Sequence, residues 1–272
     1  MGITERPGRL LGSGRDADVY EIDEAWVLRR SRQGWGDAAA KGAVMEHVRA
    51  HGYPVPRVRL ADCTRTDLVM ERLSGPTMLQ ALSAGAPSGS GEDRCDSGAP
   101  PRGAGLYHRA APLQGETSHD GAADDRRRVP PHPAERLGVE EAGAMFAGLL
   151  RRLHSVPARH SAGRVLHLDL HPDNVMLTPD GPRVIDWTNA EEGDPGLDWG
   201  MSAMILAQVA VGGESLAEPA RAILAALLAD PSQLTDESLA EARRRRAANP
   251  TMSRREIELL GDAEELIRSF LA

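Results

Sequence analysis

The residues best suited to chemistry lie in one run, His167-Leu168-Asp169-Leu170-His171-Pro172-Asp173-Asn174, with Asp186-Trp187 shortly after it. Val175-Met176-Leu177 and Val184-Ile185 flank Pro179-Asp180-Gly181-Pro182, which reads as two strands joined by a turn. If the turn centres on Asp180, Asn174 and Asp186 fall opposite each other, about 5 Å apart. A carboxylate and an amide oxygen so placed are hard donors suited to Mg²⁺ carrying phosphate. Asp169, in the loop before the first strand, lies near the same hairpin end, where a carboxylate can orient a hydroxyl and accept its proton. Asp and Asn residues also cap turns with no further role. Asp169, Asn174 and Asp186 together, beside apolar strands, favour chemistry. His167-x-Asp169-x-His171 admits a metallohydrolase reading too, but His154 and His160 supply no recognised metal spacing.

A second candidate is Leu11-Gly12-Ser13-Gly14-Arg15-Asp16, a glycine-bearing turn between two short apolar runs. Glycines there let backbone N–H groups approach phosphate without a Cβ in the way. Asp18–Ile22 reads as a strand, which excludes the strand–turn–helix order of a dinucleotide-binding unit.

These residues need a framework. Arg9–Leu11, Asp18–Ile22, Ala25–Arg30, Val55–Leu60 and Asp67–Leu73 read as strands of a small five-stranded antiparallel sheet. Asp37–His51 has helical apolar spacing, with Gly52 placed to end it. After Val139 the pattern becomes mainly helical, over Val139–His154, Leu197–Val211, Leu216–Leu228, Asp236–Ala248 and Ser253–Leu271. The order predicts an α+β protein with two lobes. Between roughly Ala84 and Gly138, Gly, Pro, Ser, Asp, Arg and His dominate and Val, Ile and Leu nearly vanish. Such a stretch buries too little apolar surface to offset its ordering entropy, which predicts a mobile insert. An out-of-frame reading of a GC-rich gene would give the same composition.

Composition narrows the function classes. With 272 residues, 41% of them hydrophobic, the chain can build two lobes or one large domain. No apolar run is long enough for a membrane span, and the N-terminus has no signal-like stretch. The formal charge of −8 argues against a nucleic-acid footprint. The exception, Arg243-Arg244-Arg245-Arg246, is expected to be a solvated face near a helix end. The acidic turn of Glu191, Glu192 and Asp194 is either solvated or a lure for a cationic acceptor. Two cysteines, Cys63 and Cys95, form no metal or disulfide spacing, which suits a reducing, cytoplasmic setting.

The run His167-x-Asp169-x4-Asn174 with Asp186 downstream resembles the catalytic segment of the aminoglycoside phosphotransferase and choline kinase group, within the protein-kinase-like fold. Further matches follow in family order: Gly12-Ser13-Gly14, Trp26-Val27-Leu28-Arg29, Glu46, Gly52-Tyr53-Pro54-Val55-Pro56-Arg57-Val58, Leu68-Val69-Met70-Glu71-Arg72, and Gly193-Asp194-Pro195-x-x-Asp198. The resemblance covers nearly the whole chain except the insert and the final helices. It implies a nucleotide-binding lobe and hinge over 1–75, and a catalytic and acceptor-binding lobe over 76–272. It also implies ATP as phosphate donor, Mg²⁺, and a small-molecule hydroxyl acceptor that is aminoglycoside-like, an amino alcohol or sugar-like. Asp169 would be the catalytic base or hydroxyl-aligning group, Asn174 and Asp186 the Mg²⁺ ligands, and His167 a brace. Gly12, Ser13 and Gly14 would approach the phosphates, and Met70 and Glu71 would offer backbone hydrogen bonds to adenine. Glu46 would pair with the third-strand basic residue, and Asp198 would stabilise the catalytic loop. The third-strand position usually held by Lys is Arg29, with Arg30 adjacent; Arg stays charged but differs from Lys in plane and length. That departure and the insert leave a nucleotide-binding protein with little transfer activity as the alternative. A protein acceptor is disfavoured, since nothing between Asp186 and Asp198 resembles an activation loop.

Overall fold

The computed structural model describes residues 8–14, 17–32, 37–85, 137–213, 215–230 and 233–272. All of the expected insert but its two ends lies outside these residues, as do Arg15 and Asp16 of the glycine-bearing turn.

β1 (Leu10–Ser13), β2 (Ala17–Glu21), β3 (Trp26–Ser31) and β4 (Asp67–Glu71) pair antiparallel in chain order. The sheet therefore has four strands rather than the expected five. The segment expected as the fifth meets β4 in a single bridge, Val58 to Met70, before a 3₁₀ turn at Leu60–Asp62. The Arg59 N–H reaches the Val69 carbonyl and the Glu71 N–H the Arg57 carbonyl. The Arg57 N–H, however, goes to the Glu71 carboxylate instead of its backbone carbonyl and the chain turns at Leu60, so the pairing stops at one bridge.

α1 (Ala38–Ala50) starts where Asp37 accepts a hydrogen bond from the Ala40 N–H, and gives way at Gly52, whose φ is +78°. Val44, Met45 and Val48 are buried on its core face. Loop 52–57 then crosses to the second part of the molecule, where the Val184 N–H donates to the Pro54 carbonyl at 2.8 Å.

After β4, α2 (Met78–Gly85) is a helix that the sequence reading did not foresee. α3 (Val139–His154) has the expected bounds and buries Phe146, Leu150 and Leu153 completely. Each such side chain contributes roughly 1.5–3 kcal/mol of apolar burial. Glu140 and Glu141 in its first turn and Arg151 and Arg152 in its last complement the helix dipole. α4 (Pro195–Val211) runs through the middle of the helical part, packed against α5 (Ala217–Leu228), α6 (Asp236–Ala247) and α8 (Leu260–Leu271). The expected last helix divides into α7 (Arg254–Glu258) and α8. Met201, Met204 and Leu206 are core residues of α4, as expected. No helix among the described residues is long and apolar enough to cross a membrane.

Two short ladders support the central loop: β5 (Arg164–Leu166) with β8 (Glu191–Gly193), and β6 (Val175–Thr178) with β7 (Gly181–Val184).

Candidate active site

The run from His167 to Asn174 connects β5 to β6, and Asp186 follows β7. The β6–β7 hairpin forms, but its register differs by one from the expected pairing. Thr178 faces Gly181 and Val175 faces Val184, so the turn is the two residues Pro179 and Asp180, and Ile185 donates to the Asn174 carbonyl at 3.0 Å. Asp186 is one position beyond, with left-handed backbone (φ 58°, ψ 66°). That conformation leaves the pleat, so strand alternation no longer sets where its carboxylate goes.

The loop is held from beneath by Asp198, a fully buried carboxylate in α4. One oxygen accepts from the Leu168 N–H at 2.7 Å; the other accepts from the His167 N–H at 2.9 Å and lies 3.0 Å from His154 Nε2. Burial alone would raise its pKa, but His154 and the two backbone donors hold it below the usual carboxylate range. Its anchoring coincides with strained backbone, since Leu168 is left-handed at φ 61°. Asp198 thus fills the loop-stabilising role that the resemblance implied.

His167 ties the loop to the hairpin. Its Nδ1 accepts from the Asp169 N–H at 3.3 Å, which leaves Nε2 to carry the proton and donate to the Ile185 carbonyl at 3.0 Å. Burial lowers its pKa and keeps the ring neutral, as this tautomer requires. Trp187 packs at the edge of this ring and of Tyr53, and its indole N–H donates to the Val184 carbonyl. It is a packing residue, as expected for a side chain only 3% exposed.

Asn174 is buried, and its Nδ2 donates to the Asp169 carbonyl at 2.9 Å. The amide group is thereby oriented, with Oδ1 as its remaining acceptor. Nδ2 also lies 3.2 Å from His171 Nε2. The enclosing protein pushes the His171 pKa down to about 3, so that ring is neutral and can accept.

Asp186 meets Arg29 and Thr188. Arg29 Nη2 lies 3.1 Å from Asp186 Oδ1 and 2.9 Å from Thr188 Oγ1, and the Thr188 hydroxyl donates to the same Oδ1 at 2.6 Å. The surrounding protein disfavours the charge, but the guanidinium and hydroxyl hold this carboxyl below its usual range. Strand alternation settles the choice between the adjacent arginines, since Arg30 points elsewhere and grips Asp67 with two bonds of 2.8 Å.

The donor set fits Mg²⁺. Asn174 Oδ1 and the second Asp186 oxygen are hard oxygen donors, and two such protein donors would suit an ion that keeps its waters and binds through phosphate. Among the described residues no group of three or more His, Cys, Asp or Glu could hold a metal. His154 and His167 are engaged as described above, and His160 contributes its backbone N–H to Glu192.

The remaining expected residues are placed less uniformly. Ser13 pairs with Asp18 and Val19 with Arg29, so the glycine-bearing segment is two strands from Arg29 in one sheet. Gly12 and Ser13 finish β1; Ser13 Oγ donates to Asp18, and Arg32 reaches both side chains. Glu46 does not pair with Arg29 in this structure. Its carboxylate is taken by Arg49, one turn away on α1, and by the Val58 N–H at 3.0 Å. Met70 faces Val27 in the β3–β4 register. The Glu71 N–H bonds to the Arg57 carbonyl at 2.9 Å and its carboxylate to Arg57, so of its backbone only the carbonyl remains for adenine. Thr188 and Lys41 were not singled out from the sequence. Thr188 was detectable only as a hydroxyl two residues after Asp186. Lys41 donates to the Ala190 carbonyl at 2.6 Å from half-buried surroundings that lower its pKa.

The acidic turn has structural partners, with Glu191 on Arg245, Glu192 on Arg159 and Asp194 capping α4. The arginine run closes α6, pairing with Glu264, Glu241, Glu191 and Gln208.

A family model described as the phosphotransferase enzyme family matches residues 7–236. Among solved structures, the gentamicin complex of APH(2")-IIa is 12% identical, with a TM-score of 0.48 over 96% of this chain and 90% of that one. An ADP-bound aminoglycoside phosphotransferase, APH(2'')-Ib, is 14% identical, with a TM-score of 0.40 over 98% of this chain and 94% of that one. A glucosamine kinase is 13% identical, with a TM-score of 0.42 over 96% of this chain and 72% of that one. The probable serine/threonine-protein kinase PkwA of Thermomonospora curvata is 40% identical over 62 residues, 21% of this chain; these span only 8% of that protein's length.

Proposed function

The chain belongs to the phosphotransferase enzyme family, and from that premise we propose that it moves the γ-phosphate of ATP to a hydroxyl of a small molecule. The observation that supports this reading is the set of hydrogen bonds that link the segments carrying Asp169, Asn174, Asp186 and Arg29. Asn174 is bonded to the Asp169 carbonyl, Asp186 to Arg29, and His167 joins the two halves.

In this reading the acceptor oxygen attacks the γ-phosphorus, the bond to the β,γ-bridging oxygen breaks, and the acceptor proton passes to the Asp169 carboxylate. Mg²⁺, held by Asn174 and Asp186, would neutralise phosphate charge. Arg29 would contact the phosphates from β3, in the place usually taken by Lys. Gly12, Ser13 and Gly14 would approach the phosphates from β1. Met70 and the Glu71 carbonyl would border the adenine, with residues 1–75 and 76–272 as the two lobes. Catalysis would then rest on positioning and charge neutralisation.

The acceptor class we favour is aminoglycoside-like, amino alcohol or sugar-like. ATP consumption by the purified protein with Mg²⁺, screened across these acceptors, tests the reading; no acceptor-dependent turnover would refute it. One observation supports a second reading, a nucleotide-binding protein with little transfer activity: Glu46 is held by Arg49 and leaves Arg29 to Asp186 and Thr188. Mg²⁺-dependent ATP binding with no turnover of any acceptor would favour it.

A further inference from the structure

At the end of β4 lies a cleft of about 480 Å³ that shares only Glu71 with the residues of the phosphotransfer reading. It is bordered by the end of α1, loop 52–57, α3 and the β6–β7 turn. Four arginines line it, Arg49, Arg57, Arg152 and Arg183, with two acidic residues, Glu71 and Asp180. Arg49 is neutralised by Glu46, and Arg57 by Glu71.

Arg152 and Arg183 differ. Arg152 Nη2 donates to the Gly52 carbonyl at 2.7 Å, and Arg183 Nη1 only reaches the Asp180 and Pro182 carbonyls at 3.5 and 3.3 Å. Neither has a carboxylate partner among the described residues. A carbonyl satisfies a hydrogen bond but brings no countercharge, so with Glu46, Glu71 and Asp180 set against the four arginines the cleft keeps one uncancelled positive charge. Its volume is that of a small-ligand site, and a guanidinium fork matches phosphate oxygens two at a time. Val55 and Pro182 give the same cleft an apolar wall for an organic body.

We infer that this cleft binds a small phosphorylated compound, its phosphate held by Arg152 and Arg183. The site joins both parts of the molecule. Arg152 caps loop 52–57 from α3, and the same loop accepts the Val184 N–H through Pro54, on the hairpin that precedes Asp186. The inference is independent of the phosphotransfer reading, since none of these arginines belongs to the proposed catalytic set.

The test is titration calorimetry of the full chain with inorganic pyrophosphate in metal-free buffer. Binding should survive Arg29→Ala, which alters the proposed nucleotide cleft, and weaken about tenfold or more in Arg152→Ala and in Arg183→Ala. The Arg183 guanidinium hydrogen-bonds only to carbonyls of its own turn, so Arg183→Ala decides the matter should Arg152→Ala fail to fold. Three results would overturn the inference: no binding to the unaltered chain, unchanged affinity in Arg183→Ala, or loss of binding in Arg29→Ala alone.

Discussion

Arg29 and Asp186 stand 157 positions apart in the chain and meet at 3.1 Å. The first is on the third strand of the N-terminal sheet, and the second is a left-handed residue just past the β6–β7 hairpin. Thr188 completes the contact by bonding both partners. This pair couples the sheet to the segment that follows the hairpin, and with Thr188 it helps hold the carboxyl of the proposed metal ligand below its usual range.

Replacing Arg29 with Ala removes the cation that lowers the Asp186 pKa, so that carboxyl should titrate at higher pH. Under the proposed function the KM for ATP should rise about tenfold or more, the value of one charge-assisted contact. Arg29→Lys keeps the charge and should stay within a few-fold of the unaltered chain. Steady-state kinetics of both variants check this, and an unchanged KM in Arg29→Ala would remove Arg29 from the nucleotide site.

Asp198 should govern acid stability. Its folded pKa is depressed, so its contribution is fully present above the unfolded value, about 3.9, and is lost as pH falls toward the folded one. Asp198→Asn should lose roughly 3 kcal/mol at pH 7, because two backbone donors and His154 lose a buried charged acceptor. The variant should also show a shallower fall in stability below about pH 4. Urea unfolding across pH 3–7 measures both, and parallel curves for the two proteins would contradict the account.

The two glycines beside the hinge and α1 should respond differently to alanine. Gly75 has φ +135°, and an added Cβ would lie 2.0 Å from the Leu177 carbonyl oxygen, so Gly75→Ala should cost several kcal/mol, about 3 or more. Gly52 has φ +78° with nothing within 4 Å, so Gly52→Ala should cost only about 1 kcal/mol of backbone strain. Thermal melts of the pair suffice, and equal shifts would mean that the Leu177 contact yields readily.

Much of this was legible in the sequence, for identifiable reasons. α3 had a complete apolar stripe and appears with the expected bounds, and α1 had both an Asp cap and a terminal glycine. The hairpin was visible from its two apolar runs, but its register was not, because Pro179, Asp180 and Gly181 allow more than one turn. Only the fold shows that Asp186 leaves the pleat. The fifth strand is cut to one bridge because the Arg57 N–H is taken by the Glu71 side chain and the chain turns into a 3₁₀ segment at Leu60, neither of which the β-prone residues of Val55–Leu60 announce. Glu46 meets Arg49 rather than Arg29 in this structure for a local reason: Arg49 lies one turn along the same helix, and strand-to-helix distances are invisible in sequence. The Thr188 contact and the rear arginine cleft depend on residues far apart in the chain, which no spacing could bring together.

The central claim is that Asp169 acts on the acceptor hydroxyl and not on the nucleotide. Its most direct test is Asp169→Ala, measured for both acceptor-dependent turnover and ATP affinity. The account predicts that kcat falls by about 10²–10⁴ while the Kd for ATP stays within a few-fold. Turnover equal to that of the unaltered chain would contradict it.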